Sequence, residues 1–565
     1  MLDNLSSYPD SLDRLDSTSN VNSEVKKYGY NNEYEYEYIE YEDHTVEILS
    51  LHTNKPVLVL PVKIDGHVVR GIQEGALVDY LISEEEAYGS DKHFSIIIPT
   101  QITYIKTNAF YRCIRAYNFI VLPSHPTLSV IDGVLFDKDA KRLICYPKDK
   151  DNKEYSIPDG VETIGAHGFD WCRHLQSIHI PNSVTTIEHH AFEDCFSLDK
   201  MTIPNSVLSV GDSAFIWCSS LTCISIPDSV MNIGIHLFIG CKKLSEIIVT
   251  PDNSVLAVID GVLYRKKDKR LEWYPRTKME ESFEIPCGVR IIGKRVFEGC
   301  ENLRYVMIPD SVEIIEEAAF RECINLEIML LPIGIKTINK ATFLGCNKLF
   351  YVSIPHTVTA IKENAFENCS ALQKIQMSEN VVYIGGKSFA MCVSLESISI
   401  PDGVIEIGEK AFKACDQLTS VIIPQSVTKI GAGAFSVCNS LFSVTVLGKI
   451  THIESGVFAA CPNLHCVMLP SSIREIGDYA FSYCESLKII QIPKCVTRLG
   501  HDAFSYCISL ESITLPDSIT DIEDNVFEGC KSLVISVSRN SYAAKYCKEK
   551  EYNYIYQDSI SWLNE

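Results

Sequence analysis

Sixteen phenylalanines recur at one interval, and that interval commits most of the chain to a stack of small, similar coils. Phe169, Phe192, Phe215 and Phe238 are each 23 residues apart. Phe297, Phe320, Phe343 and every twenty-third residue to Phe527 continue the step. Phe110 stands 59 residues before Phe169, and Phe238 stands 59 before Phe297. One period therefore runs through the chain, interrupted twice by insertions of equal length. A cysteine follows three residues after each of the 16: Cys113, Cys172, Cys195, Cys218, Cys241, Cys300, Cys323, Cys346 and onward to Cys530. Most of the 22 cysteines are thus a single repeat position. Periods of this length mark solenoids, in which each unit buries its apolar side only against its neighbours.

One unit reads Leu175-x-x-Ile178-x-Ile180-Pro181-x-x-Val184-x-x-Ile187-x-x-x-Ala191-Phe192-x-x-Cys195. The Ile-x-Ile piece has period 2, as in a half-buried strand. Proline follows it in most units and ends ladder pairing, because it lacks an N–H. The Val-x-x-Ile piece is read as the turn of the chain. The Ala-Phe-x-x-Cys piece spaces apolar residues by three, which suits a short helical or 3₁₀ turn. Stacking aligns equivalent residues in columns. Phe169, Phe192, Phe215, Phe320 and Phe343 then form a spine, each ring contributing about 1.5–3 kcal/mol of transfer free energy. Cys172, Cys195, Cys218, Cys323 and Cys346 become a column of buried free thiols. Each has equivalent neighbours on both sides, so nothing in the pattern selects disulfide pairs. No pair of cysteines has metal-ligand spacing within the motif.

The unit Leu-x-x-Ile-x-Ile-Pro-x-Ser-Val-x-x-Ile-Gly-x-x-Ala-Phe-x-x-Cys resembles the BspA-type (Treponema-type) leucine-rich repeat over about residues 55–545. The two insertions fit as well. Leu128-Ser-Val-Ile-Asp-Gly-Val-Leu-Phe136 and Leu256-Ala-Val-Ile-Asp-Gly-Val-Leu-Tyr264 lead into Leu143-Ile-Cys-Tyr-Pro147 and Leu271-Glu-Trp-Tyr-Pro275, similar to that family's β-hairpin excursions. The resemblance implies an α/β repeat fold: a curved leucine-rich-repeat solenoid with a parallel β-sheet on one face, short helical or 3₁₀ turns and two β-hairpin insertions. It also implies a non-enzymatic protein, and several family members are surface adhesins that bind host matrix proteins or other cells.

The expected organisation has four parts. Residues 1–32 read as an acidic, disordered arm: residues 1–45 hold 11 Asp/Glu against 3 Lys/Arg. Residues 33–95 read as a capping hairpin and a degenerate first repeat. Glu33–Tyr38 would be its first strand, turning near Asp43-His44 and returning through Val46–Leu49. The other reading of that segment is a sticky arm with tyrosines open to modification. Leu77 takes the Phe slot, and an acidic loop follows at about 83–92. Residues 96–540 form the solenoid, with insertions at about 124–156 and 251–284. Residues 541–565 close it with a helix whose buried stripe is Tyr542, Tyr546 and Cys547, then a strand at Tyr552–Tyr556 and a tail containing Trp562.

Charge and composition narrow the function classes. The net charge is −22, which argues against nucleic acid or an anionic membrane as partner. No apolar run approaches the ~18 residues of a membrane span. Met1–Asn20 is polar and acidic and lacks the basic and apolar regions of a secretory leader. The expected location is the cytoplasm, with the cell surface or secretion by a non-standard route as the alternative. No phosphate-binding loop, dinucleotide fingerprint or nucleophile elbow is present, so no catalytic residue and no cofactor are expected. His189-His190 reads as surface, and Cys461-x-x-x-His465-Cys466 as a ladder thiol beside a strand.

Specificity in such a stack resides at exposed strand positions. Most are polar, but three adjacent coils are not. Tyr305, Met307, Ile328, Leu330, Phe350 and Tyr351 should form one apolar, aromatic patch, of the kind that anchors a protein partner. The alternative is that the second insertion folds over and covers it. The partner's identity and the oligomeric state are not legible.

Overall fold

The computed structural model describes residues 25–30, 35–52, 57–77, 93–111 and 113–557. They form about 21 turns of parallel-strand solenoid. Two compact units divide them: Met1–Asp151 with Ile164–Cys172, and Asn152–Thr163 with Arg173–Glu565.

In the larger unit most coils begin with the strand read from Ile-x-Ile. Lys200–Thr202, Cys223–Ile226 and Glu246–Val249 pair in parallel and in register. Their side chains alternate exposed, buried, exposed, so Met201, Ile224 and Ile247 line the core. The Val-x-x-Ile piece does more than turn the chain. Its residues form a second parallel ladder, in which Thr186–Ile187 pairs with Ser209–Val210 and that with Asn232–Ile233. The parallel sheet expected on one face is present, and this second, narrower ladder runs in addition to it. Two-residue strands suffice because each is held on both sides by a copy of itself.

The Ala-Phe-x-x-Cys segment makes 3₁₀-type turns and does not propagate into a helix. Cys195 N–H donates to the Phe192 carbonyl at 3.3 Å. Residues two before and two after the phenylalanine take left-handed backbone angles, as His190 (φ 54°) and Asp194 (φ 56°) do. This alternation aims every second N–H along the stack. His190, Phe192 and Asp194 donate to the carbonyls of Asp212, Ala214 and Ile216 in the next coil, at 2.8–3.0 Å. Left-handed angles cost a non-glycine residue about 1–2 kcal/mol; here three inter-coil hydrogen bonds per coil hold them in place.

The phenylalanine rings stack as a spine. From Phe297 to Phe527 successive centroids lie 4.9–5.8 Å apart and nearly parallel. Phe192, Phe215 and Phe238 also stack, at 5.3 and 5.9 Å. At the second insertion Tyr274 fills the slot, 5.0 Å from Phe297. The cysteines are free, and one continuous core runs from Val262 to Cys547.

Each insertion is a hairpin plus a third strand. In the larger unit, Leu256–Ile259 and Val262–Arg265 pair antiparallel, and Val262–Arg265 then pairs with Arg270–Trp273. Arg270–Trp273 joins the second ladder through Ile291–Ile292. In the smaller unit Leu128–Ile131, Val134–Asp137 and Arg142–Cys145 repeat the arrangement, with Tyr146 stacked 5.4 Å from Phe169.

The smaller unit opens with an antiparallel meander of Val25–Tyr30, Glu35–Glu40 and Thr45–His52. The arm expected over 1–32 is thus too long, because residues 25–30 are a strand; residues 1–24 lie outside the described residues, as do Glu33 and Tyr34. Tyr36 and Tyr38 are buried and donate to the Asp65 carboxylate at 2.9 and 2.8 Å, as a capping strand requires. Thr45–His52 pairs in parallel with His67–Ile72. Leu77 is buried, and the acidic loop at 83–92 lies outside the described residues.

The larger unit ends in the helix Tyr542–Glu549, whose first turn is capped by Ser541 Oγ accepting from Ala544 N–H at 3.1 Å. Ala543, Ala544, Tyr546 and Cys547 are buried. Tyr542, expected in the buried stripe, is exposed instead: the stripe runs through Ala543, Ala544, Tyr546 and Cys547, and at about 100° per residue Tyr542 falls to its side. Tyr554–Tyr556 adds a final strand to Val534–Val537. Trp562 lies outside the described residues.

Candidate functional site

The strands Tyr305–Met307, Ile328–Leu330 and Tyr351–Ser353 are neighbours in one parallel sheet. Tyr305 pairs with Ile328 and Ile328 with Tyr351, which places the expected residues in adjoining columns. Val306, Met329 and Val352 turn into the core, so their neighbours must turn out. Leu330 is 61% exposed, Met307 57%, Phe350 41% and Tyr305 38%. Ile328 and Tyr351 are half-buried. The second insertion does not cover the patch, because its third strand extends the other ladder. Ser282–Glu284, which ends the inserted segment, pairs alongside Tyr305–Met307 and enlarges the face.

Charged groups brace the aromatic edge. Tyr305 Oη donates to Glu327 Oε2 at 2.7 Å. Arg304 lies over the Tyr305 ring at 5.5 Å and bridges Glu327 and Glu281 at 2.8 and 3.1 Å. Hydrogen bonds from Tyr305 and Arg304 hold the Glu327 carboxyl below its usual range. At the far side Tyr351 Oη donates to Gln376 Oε1 at 3.3 Å. The result is an apolar surface with an ionic rim whose side chains are held by hydrogen bonds.

The same face carries two features that the sequence reading did not single out. Residues 397–400 do not pair as a strand, so the front ladder stops at Lys374–Gln376 and resumes at Ser420–Ile423. A groove of about 980 Å³ lies there, lined by Ser397, Ser399, Ser420, Ile422, Thr428 and Leu447 among others. Beyond it, Ile422, Phe442, Met468 and Ile489 are exposed. Ile422 and Met468 occupy the same outward repeat position as Met307 and Leu330, but Thr445 stands between them in that column, so only the adjacent run at Met307 and Leu330 reads as a patch.

The other side chains considered from the sequence do not assemble into a site. Cys461 is buried and donates to the Phe435 carbonyl, whereas Cys466 is exposed and His465 stacks on Phe442 at 4.5 Å. His190 pairs with Glu193 at 2.9 Å.

The model of the BspA type leucine-rich repeat region matches residues 82–141, 144–259, 276–392 and 405–534. The chain belongs to the BspA-type leucine-rich repeat family. Several solved structures resemble it. A leucine-rich repeat protein from Bacteroides ovatus is 22% identical, with 95% of this chain and 99% of that one covered and a TM-score of 0.43. A leucine-rich cell surface protein from Faecalibacterium prausnitzii is 23% identical, covering 84% and 94%, with a TM-score of 0.29. A leucine-rich repeat protein from Eubacterium ventriosum is 18% identical, covering 89% and 97%, with a TM-score of 0.35. No curated protein matches this BspA-type chain. Among the described residues no helix is long and apolar enough to cross a membrane.

Proposed function

We propose that this BspA-type protein is a non-enzymatic, protein-binding solenoid, a scaffold or recognition protein whose ligand docks on the front face of the larger unit. The observation that carries this reading is the exposure of Tyr305, Met307, Leu330 and Phe350 on adjoining coils, with Ile328 and Tyr351 between them. Rigid aromatic and aliphatic side chains presented by a sheet lose little conformational entropy on docking, and such residues dominate interface energies. The charged rim of Arg304, Glu281 and Glu327 then orients the partner. The test is affinity capture from the native cell, with mass spectrometry, comparing the wild type with a Tyr305→Ser, Leu330→Ser, Phe350→Ser triple variant. Each position is partly exposed, so the variant should keep its fold. Capture of the principal partner should fall at least tenfold; unchanged capture would sink the proposal.

The cytoplasm is the proposed location. The exposed free thiols of Cys287, Cys466 and Cys495 support it, because accessible thiols persist in a reducing compartment. A surface adhesin binding host matrix or other cells is the second reading, which the family favours. Protease applied to intact cells separates the two: an intracellular scaffold survives, and an adhesin is removed.

A further inference from the structure

The 23-residue period places two histidines side by side in the capping part of the smaller unit. Thr45 pairs with Val68 in the parallel ladder between Thr45–His52 and His67–Ile72, so His44 and His67, each one residue earlier, are neighbours. Their rings stack with centroids 6.0 Å apart. The antiparallel turn between Glu35–Glu40 and Thr45–His52 folds Glu40 back onto the same spot. That turn is closed by Tyr41 N–H to the Thr45 carbonyl at 3.0 Å and His44 N–H to the Tyr41 carbonyl at 2.9 Å. His44 takes a left-handed φ of 59° there.

Three potential metal ligands converge as a result. Glu40 Oε1 lies 3.3 Å from His44 Nδ1 and 3.5 Å from His67 Nδ1, and the three donor atoms all fall within 4.8 Å of one another. Zinc bound by imidazole and carboxylate at about 2.0–2.1 Å in a tetrahedron sets neighbouring donors roughly 3.3 Å apart. Two of the three edges already have that length. His67 Nδ1–H donates to the His44 carbonyl at 3.2 Å, a hydrogen bond that a metal at Nδ1 replaces as the proton moves to Nε2. The nearby cation, Arg70, is engaged by Glu47 at 3.0 Å and Asp43 at 3.4 Å and lies over the Tyr41 ring at 3.8 Å, which reduces its opposition to a second positive charge.

We propose that Glu40, His44 and His67 bind a divalent cation of the zinc class, with two imidazole nitrogens, one carboxylate oxygen and a solvent-filled fourth position. Both imidazoles then carry their proton on Nε2 and turn the Nδ1 lone pair to the metal. The ligands come from the hairpin turn and from the first residue of the following strand, so the ion clamps the terminal cap to the first coil. Metal binding to the folded cap alone raises the stability of that cap.

The test uses the full chain, stripped with chelator, with exposed thiols alkylated in the native state so that Cys287, Cys466 and Cys495 cannot bind metal. Titration with zinc chloride by calorimetry should show one equivalent. Glu40→Gln and His67→Gln should each weaken it at least tenfold, with unchanged circular dichroism in the absence of metal. Cobalt(II) provides a readout that needs no variant: the alkylated wild type should give the visible absorption of a tetrahedral ion without a sulfur-to-cobalt charge-transfer band. No zinc uptake by the wild type, uptake unaltered in both variants, or a thiolate charge-transfer band would each overturn the assignment.

Discussion

Each thiol of the cysteine column fills a small space and supplies a donor. Cys346 Sγ donates to the Phe320 carbonyl at 3.1 Å, Cys369 to Phe343 at 3.1 Å and Cys392 to Phe366 at 3.2 Å. Each of these carbonyls also accepts the N–H three residues on, as Phe343 does from Cys346 at 3.1 Å, so the thiol is its second donor, and alanine would remove that bond and leave a small void. Cys369→Ala is therefore expected to destabilise the larger unit by roughly 1–3 kcal/mol, read as a lower urea midpoint. Burial also moves these thiols. It pushes Cys300 and Cys484 from the ordinary 9.0 up to about 12. A folded pKa above the unfolded one means that the charged thiolate opposes folding. The stability involved is fully present below pH 9 and is lost as the pH rises from 9 towards 12. The urea midpoint should fall over that range, and less steeply in Cys300→Ala.

At the scale of the element, arginines tie the second insertion to the repeat: Arg265 donates to the Ile233 carbonyl at 2.8 Å, Arg276 to Glu298 at 3.1 Å, and Arg270 makes the most extended clasp. Arg270, on the strand Arg270–Trp273, reaches Glu272 through Nε at 2.9 Å and grips Glu316 with both terminal nitrogens, through Nη1 at 2.7 Å and Nη2 at 2.5 Å. His236 Nε2 approaches the same carboxylate at 3.7 Å. Burial acts to raise the Glu316 carboxyl, but the hydrogen bonds and charges of His236 and Arg270 outweigh it and hold it at about 2. The sign is that of a depressed acid: the stabilisation is present above the ordinary 4.5 and is lost as the pH falls from 4.5 to 2. Glu316→Gln should flatten the acid limb of the stability profile in that window and loosen hydrogen-exchange protection at residues 262–273. Nothing in the spacing of the insertion pointed to this clasp. Arg270 and Glu316 are 46 residues apart, and only the parallel pairing of Arg270–Trp273 with Ile291–Ile292, and of that strand with Ile314–Ile315, brings them together.

At the scale of the whole unit, the core that runs unbroken from Val262 to Cys547 makes the end cap important. Coils interact with their neighbours only, so losing a cap frays the adjacent coils before it unfolds the rest. Tyr546 is buried, stacks on Tyr552 at 5.9 Å and donates to the Glu523 carbonyl at 3.4 Å. Tyr546→Asp would bury a charge where the last coil ends, at roughly 3–5 kcal/mol. Faster hydrogen exchange confined to about residues 504–556, with the coils before Phe458 unchanged, is the expected outcome. Uniform acceleration from 173 to 556 would instead show that the unit unfolds as a whole.

The sequence by itself determined the coil, its period, the family and the two columns that fill the core. Each of these follows from residue types repeated at 23, and any stack of such units must bury Phe and Cys together. It also identified Tyr305 and Leu330 as outward-facing, because period 2 leaves no other side for them. Only the tertiary structure decided that Val-x-x-Ile is a second ladder, that Ala-Phe-x-x-Cys bonds the next coil through left-handed residues, and that the insertion leaves the apolar patch open. Those outcomes depend on where a peptide group points and on what a neighbouring coil offers it, neither of which a spacing records. The meeting of Glu40, His44 and His67 belongs to the same class. The 23-residue interval between the histidines is visible in the sequence, but the turn that folds Glu40 onto them is a product of the hairpin and of the parallel register with the strand that follows.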